Sequence, residues 1–155
     1  MEEAKLICLN LEEIRRRSIV LWRGLPEDFY NWKPDDDAMT ALEMIRHVLA
    51  ADYGWTKIIK GEDMSNFKSP WDGVPLKNVG QEIEMAVPYR EEFINTVKSF
   101  SIEDLKSTNI IHPGNGKEKP LGQYILRIGY HEAVHAGQFI SYLRSMKLPR
   151  PFIWD

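Results

Sequence analysis

RIGYHEAVHAGQFISY, residues 127–142, places two histidines, His131 and His135, four residues apart in a helix-forming run. On an α-helix that spacing brings both imidazoles onto one face, about 40° apart and one turn up. This is how a single helix offers two nitrogens to a metal. With His131 as zero and about 100° per residue, Leu121, Ile125, Ile128, Phe139 and Leu143 define a core-facing arc. The two histidines stand at the edge of that arc. Gln138 falls within about 20° of His131, and Arg127 and Tyr142 flank the same edge. Glu132 projects into the middle of the apolar arc, where an unpaired carboxylate is costly, so the helix predicts a partner for it.

The rest of the chain has the character of a soluble globular protein. Its 155 residues are 43% hydrophobic and 28% charged, enough for one domain spanning 1–155 with a proper core. A formal charge of -3 gives no electrostatic reason for nucleic acid or an anionic membrane as partner. Cys8 is the sole cysteine, and the start MEEAKLICLN lacks the basic and then apolar layout of a signal peptide. The expected location is cytoplasmic. No apolar run approaches the roughly 20 residues that a bilayer-spanning helix needs.

Periodicity predicts four long helices. The first covers about residues 3–25, with Leu6, Leu9, Ile14, Leu21 and Leu25 at helical spacing. Pro26 and the run Trp32 to Asp37 then form a loop; its three aspartates lack the glycine and glutamate of a calcium loop. Thr40-Ala41-Leu42-Glu43 is a capping box that starts a second helix running to about Lys60, with Gly61 placed to stop it. His47 lies in this helix at the edge of its apolar arc, as His131 does in the last one. Ala50, Ala51 and Gly54 near it leave room for a cavity, and Glu43 is one turn back. Taken alone, His47 reads first as a hydrogen-bonded core histidine and only second as a ligand.

Residues 62–78 make a long connection, and a third helix covers about 79–100 with Pro88 expected to kink it. Ser101 caps a short further turn. The segment from Asn109 to Lys119 reads as a loop, and its His112 as a solvated side chain. The fourth long helix runs from Pro120 to about Met146.

Four helices and one long crossover define an all-α, four-helix bundle. Such bundles build metal sites from inward side chains on facing helices, and His47 with the pair His131 and His135 fits that scheme. Three histidines leave a coordination position open, the layout of a catalytic site. The zinc-protease meaning of His-Glu-x-x-His, with Glu132 as general base, is a minor alternative. It needs a further ligand downstream, and no Glu or His follows His135.

LPEDFYNWKPDDDAMTALEMIRHVLAADYGW together with YILRIGYHEAVHAGQFISYLRSMKLPRP resembles the DinB/YfiT-like superfamily across most of the chain. The marks are His47 in the second helix and the pattern His131, His135, Gly137, Gln138 in the last. The resemblance implies an up-down-down-up bundle, a divalent metal such as nickel or zinc on the three histidines, and a homodimer. Relatives include metal-dependent enzymes that use a low-molecular-weight thiol as co-substrate. In a thiol-dependent S-transferase, or a hydrolase, on a small-molecule substrate, Gln138 and Glu132 are the catalytic candidates and Arg127 the candidate for binding a carboxylate of the thiol. The alternative is a non-catalytic dimeric bundle whose metal site is structural or senses a ligand. The damage-inducible family name carries no implication of DNA binding.

Overall fold

In a computed structural model describing residues 2–155, four long helices carry the architecture: α1 (Glu2–Arg23), α2 (Ala41–Ile59), α3 (Val79–Ser99) and α5 (Leu121–Ser145). A short α4 (Ile102–Ser107) and two three-residue strands, β1 (Asn109–Ile111) and β2 (Glu118–Pro120), lie between α3 and α5. The four long helices match the periodicity. The capping box at Thr40 is complete: Thr40 Oγ1 accepts from the Glu43 N–H, and Glu43 Oε2 accepts from the Thr40 N–H at 2.7 Å. Gly61, at φ 73°, ends α2. Its N–H donates to Ile58 O and that of Glu62 to Lys57 O, a paired closure that satisfies two terminal carbonyls. Helix α3 continues through Pro88.

The hydrophobic residues form two stacked clusters, and these reveal the helix directions. One holds Leu21, Trp22, Leu42, Ile45, Leu49, Val79, Ala86, Phe139, Leu143 and Met146; the other holds Ala4, Cys8, Leu11, Ile59, Phe93, Val97, Leu121 and Ile125. Helices α1 and α5 therefore run from the second cluster to the first, and α2 and α3 run the opposite way. This is the up-down-down-up order. Around the bundle, α2 packs on α3 and α5, and α1 on α3 and α5. Gly129 permits the close approach of α1 and α5, because a Cβ there would stand 3.2 Å from Ile14 and Leu11. The all-α helical bundle is thus observed.

The loop expected at residues 109–119 is instead an antiparallel ribbon that pairs Asn109 with Pro120, Ile110 with Lys119 and Ile111 with Glu118. Three residues per strand are too few to show an alternating pattern, and Pro113, Gly114 and Gly116 dominate the composition of the turn. The ribbon brings His112 against the bundle. The long connection between α2 and α3 is anchored by Arg46, whose guanidinium donates to Glu82 at 2.6 and 2.8 Å and to the carbonyls of Val74 and Pro75. Further back in the same connection, Phe67 packs on Tyr53 of α2 with ring centres 5.8 Å apart. Among the described residues no helix is long and apolar enough to cross a membrane.

Candidate metal centre

Where α2 faces α5, the three histidines converge. His131 Nε2 lies 3.1 Å from His47 Nε2 and 3.1 Å from His135 Nε2. The helices explain this: one turn of α5 stacks His131 under His135, and the pairing of α2 with α5 brings His47 across to both. His47 is exposed, and the other two are half-buried. A neutral imidazole has at its Nε2 either one proton or one lone pair, so His131 Nε2 can satisfy only one of its two close neighbours. Protons leave the cluster incompletely bonded, whereas a single cation at its centre would engage every lone pair.

The electrostatics keep those lone pairs free. Burial, reinforced by the neighbouring His135, His47 and Arg127, drives the pKa of His131 down to about 4. Burial also lowers His47, with His135 adding to the effect, and lowers His135, where the Gln138 amide opposes the shift. Neutral imidazole is the form that binds metal. The geometry fits as well. Two nitrogens at about 2.0–2.1 Å from one tetrahedral ion lie roughly 3.3 Å apart, close to the separation seen. All three donors fall within 4.8 Å of one another.

Beside the histidines are two adjoining cavities. One, of about 200 Å³, is lined by His47, Ala51, Trp55, His112, Arg127, Ile128 and His131. The other, of about 340 Å³, is bounded by His47, Ala50, Ala51, Gly54, Trp55 and Ile58 of α2 and by Met64, Phe67 and Ser69 of the crossover, with His112. The small residues expected to leave space around His47 do so. A third cleft, of about 390 Å³ between α1, α5 and the tail at Ile153 and Trp154, is lined by none of the histidines.

Glu132 sits one residue from His131 but faces the core. Arg15 of α1 grips it, Nε to Oε1 at 2.7 Å and Nη2 to Oε2 at 3.0 Å, and reaches Asp52 of α2 at 3.0 Å. Arg90 of α3 donates to the other Asp52 oxygen at 3.1 Å and to Leu11 O at 2.6 Å. All four helices thus meet in a buried cluster of two cations and two anions. Burial pulls on both guanidiniums: it leaves Arg90 below its ordinary value, while Asp52 and Glu132 outweigh it at Arg15 and raise that pKa. Glu132, expected as an acid-base candidate, lines neither cavity and is ion-paired in the core. Glu43, the carboxylate expected near His47, is taken up by its cap.

Of the other expected residues, Gln138 and Arg127 stand at the rim and Tyr142 does not. Gln138 is exposed beside His135, whose buried Nδ1 has no hydrogen-bond partner among the described residues. Arg127 is exposed at the cavity mouth, its guanidinium 5.6 Å from the centre of the Trp55 ring. Tyr142 turns away and donates to Met39 O at 3.0 Å. His112 was expected to be solvated, but it packs edge-on to Trp55 with ring centres 5.5 Å apart and borders both cavities. Its Nδ1 accepts from the Gly114 N–H at 3.0 Å, which leaves the proton of the neutral ring on Nε2. Only the ribbon brings it there, and nothing in its local sequence signals that. The ion cluster was half visible: Glu132 demanded a partner, but no local pattern pointed to Arg15, 117 residues away.

A helical bundle whose facing helices bring three histidine nitrogens to one point beside a cavity defines a class of bundle with a candidate metal site. Within that class the chain belongs to the DinB superfamily, whose sequence model matches residues 10–139 and so includes all three histidines. It is similar to the uncharacterised protein YjoA of Bacillus subtilis (strain 168), 25% identical over 128 residues that cover 79% of this chain and 77% of that one. The crystal structure of a DinB-like protein, YjoA from Bacillus subtilis, superposes with a TM-score of 0.72 at 21% identity, covering 96% of each chain. That likeness supports the fold.

Proposed function

We propose that this protein is a metal-dependent enzyme acting on a small molecule, with one divalent cation, nickel or zinc, held by His47, His131 and His135. The observation that carries the reading is the convergence of three neutral Nε2 atoms, two of the separations being 3.1 Å, at the mouth of a cavity. A bound cation would supply Lewis acidity, lowering the pKa of a thiol or water in contact with it. The favoured chemistry is S-transfer from a low-molecular-weight thiol, with hydrolysis second. In either, Arg127 receives a negative group of a substrate or thiol at the cavity mouth, and Gln138 orients His135. Glu132 and Arg15 hold α5 in rotation, so that His131 and His135 face α2.

Elemental analysis of the purified protein tests the reading, alongside the triple variant His47→Ala, His131→Ala, His135→Ala. About one divalent ion per chain in the wild type and none in the variant supports it, and thiols can then be screened with electrophiles. An absence of metal after incubation with several divalent ions would sink it. The non-catalytic alternative predicts that His47→Ala lowers the melting temperature along with metal content, whereas a catalytic site loses metal and leaves the metal-free fold intact. The protease reading loses its general base, because Glu132 is bound in the core.

A homodimer belongs to the same proposal. Leu6 and Leu9 on α1, and Leu126 and Tyr130 on α5, are 56–71% exposed on helices that pack side by side, an apolar strip available to a second copy. Light scattering on Tyr130→Glu should show a shift from dimer to monomer, and a wild type that is already monomeric removes the dimer.

A further inference from the structure

We infer that the paired cavities beside the histidines bind a small carboxylate with an apolar body: Arg127 takes the carboxylate, and Trp55, Ile58, Met64 and Phe67 take the body. The inference rests on the metal reading in placing the reacting end of the molecule beside His47 and in the added positive charge of a bound ion, while the Arg127 end stands without it.

The two cavities share His47, Ala51, Trp55 and His112, so they form one continuous binding region with two unlike ends. At one end is Arg127. Its guanidinium has no hydrogen-bond or ion-pair partner among the described residues, whereas Arg15, Arg46 and Arg90 are each held by carboxylates. Stacking on Trp55 holds it at the cavity wall without consuming its donors. No aspartate or glutamate lines either cavity. Three neutral imidazoles also leave the charge of any bound divalent ion uncompensated, so every formal charge at the site is positive. Such a site selects an anion.

The other end selects an apolar body. Ile58, Met64 and Phe67 face a space of about 340 Å³ in which Ser69 is the only hydroxyl. Gly54 lies against the Phe67 ring, where a Cβ would make an ordinary contact at 3.6 Å. A single guanidinium, with no lysine among the lining residues, suits a singly charged carboxylate better than a doubly charged phosphate.

Calorimetric titration with acetate, butanoate, hexanoate, hexanamide and inorganic phosphate tests this. It is run on metal-loaded and metal-free samples of the wild type, Arg127→Met and Phe67→Ala, with metal content measured on each. The wild type should bind hexanoate at least about tenfold more tightly than hexanamide. Affinity should rise along the carboxylate series by up to about fourfold per methylene. Arg127→Met should abolish the preference for carboxylate over amide, and Phe67→Ala should flatten the gain with chain length. Equal binding of hexanoate and hexanamide overturns the inference. So does an unchanged preference in Arg127→Met that vanishes when metal is removed, which would assign the carboxylate to the metal. Phosphate binding more tightly than hexanoate overturns the choice of anion. A wild type without metal sinks the metal reading, while the Arg127 comparison is still read on the metal-free samples.

Discussion

His131 and Glu132 are neighbours on α5, yet they belong to opposite kinds of polar cluster. Glu132 joins Arg15, Asp52 and Arg90 in the core, where two positive and two negative groups leave no net charge and the Glu132 and Asp52 oxygens all receive charged donors. His131 joins His47 and His135 at the rim, where three like groups aim the same atom at a common point. Buried charges are tolerated only when each is matched, so the first cluster is self-sufficient and has nothing left to offer a ligand. The second is unmatched from within, and that incompleteness marks a site rather than a strut. A rotation of about 100° along one helix separates the two.

Breaking the core cluster should cost most. Arg15→Met leaves Glu132 without a partner, and we expect a loss of about 3 to 5 kcal/mol in urea unfolding. The double variant Arg15→Met, Glu132→Leu should recover much of that, because Arg90 still holds Asp52. A fully additive double variant would argue that the two do not work as a pair.

Removing a rim histidine should act differently. His131→Ala should abolish stoichiometric metal binding, yet change the unfolding free energy of the metal-free protein by no more than about 1 kcal/mol, since it leaves no buried charge behind. Equal loss of stability in the presence and absence of chelator would erase the distinction between the two clusters.

Acid sharpens the comparison further. His131 takes up a proton only near pH 4 in the fold, but near 6.5 once unfolded. Between those values the unfolded chain binds more protons. The stability of the metal-free protein should therefore fall as pH drops from 6.5 towards 4, and His131 should add no slope above that window. The triple histidine variant should lose this part of the slope, and an unchanged pH profile in chelator-treated samples would contradict the neutral state of the cluster. The smallest effect expected is that of Gln138→Leu, which removes the amide beside His135 and should weaken metal affinity roughly tenfold without altering stability. Competition with a metal-sensitive dye measures it.

Much of this was legible before any fold was known. Helix spans, the capping box at Thr40, the stop at Gly61 and the pair His131 and His135 all follow from residues within a few positions of one another, because hydrogen bonding and amphipathic periodicity in a helix are local. His47, 84 residues from His131, was joined to them only by the bundle scheme and the family resemblance. The wheel also showed Glu132 pointing inward and in need of a partner. Which helix supplied that partner was not legible: Arg15 reads as part of a charged stripe on α1 until the order of helices around the bundle turns it inward. The place of His112 depended on a ribbon too short to leave a pattern.

The sequence by itself determined four amphipathic helices and the angular position of each polar residue on its own helix. Only the tertiary structure decided which of those residues meet, placing Glu132 in a buried ion pair with Arg15, Arg127 at a cavity with no ion-pair partner among the described residues, and His112 in the cavity wall. The reason is physical: a helix fixes where a side chain points relative to its own axis, but the interaction it makes depends on the distance and charge of groups on other helices, which packing alone sets.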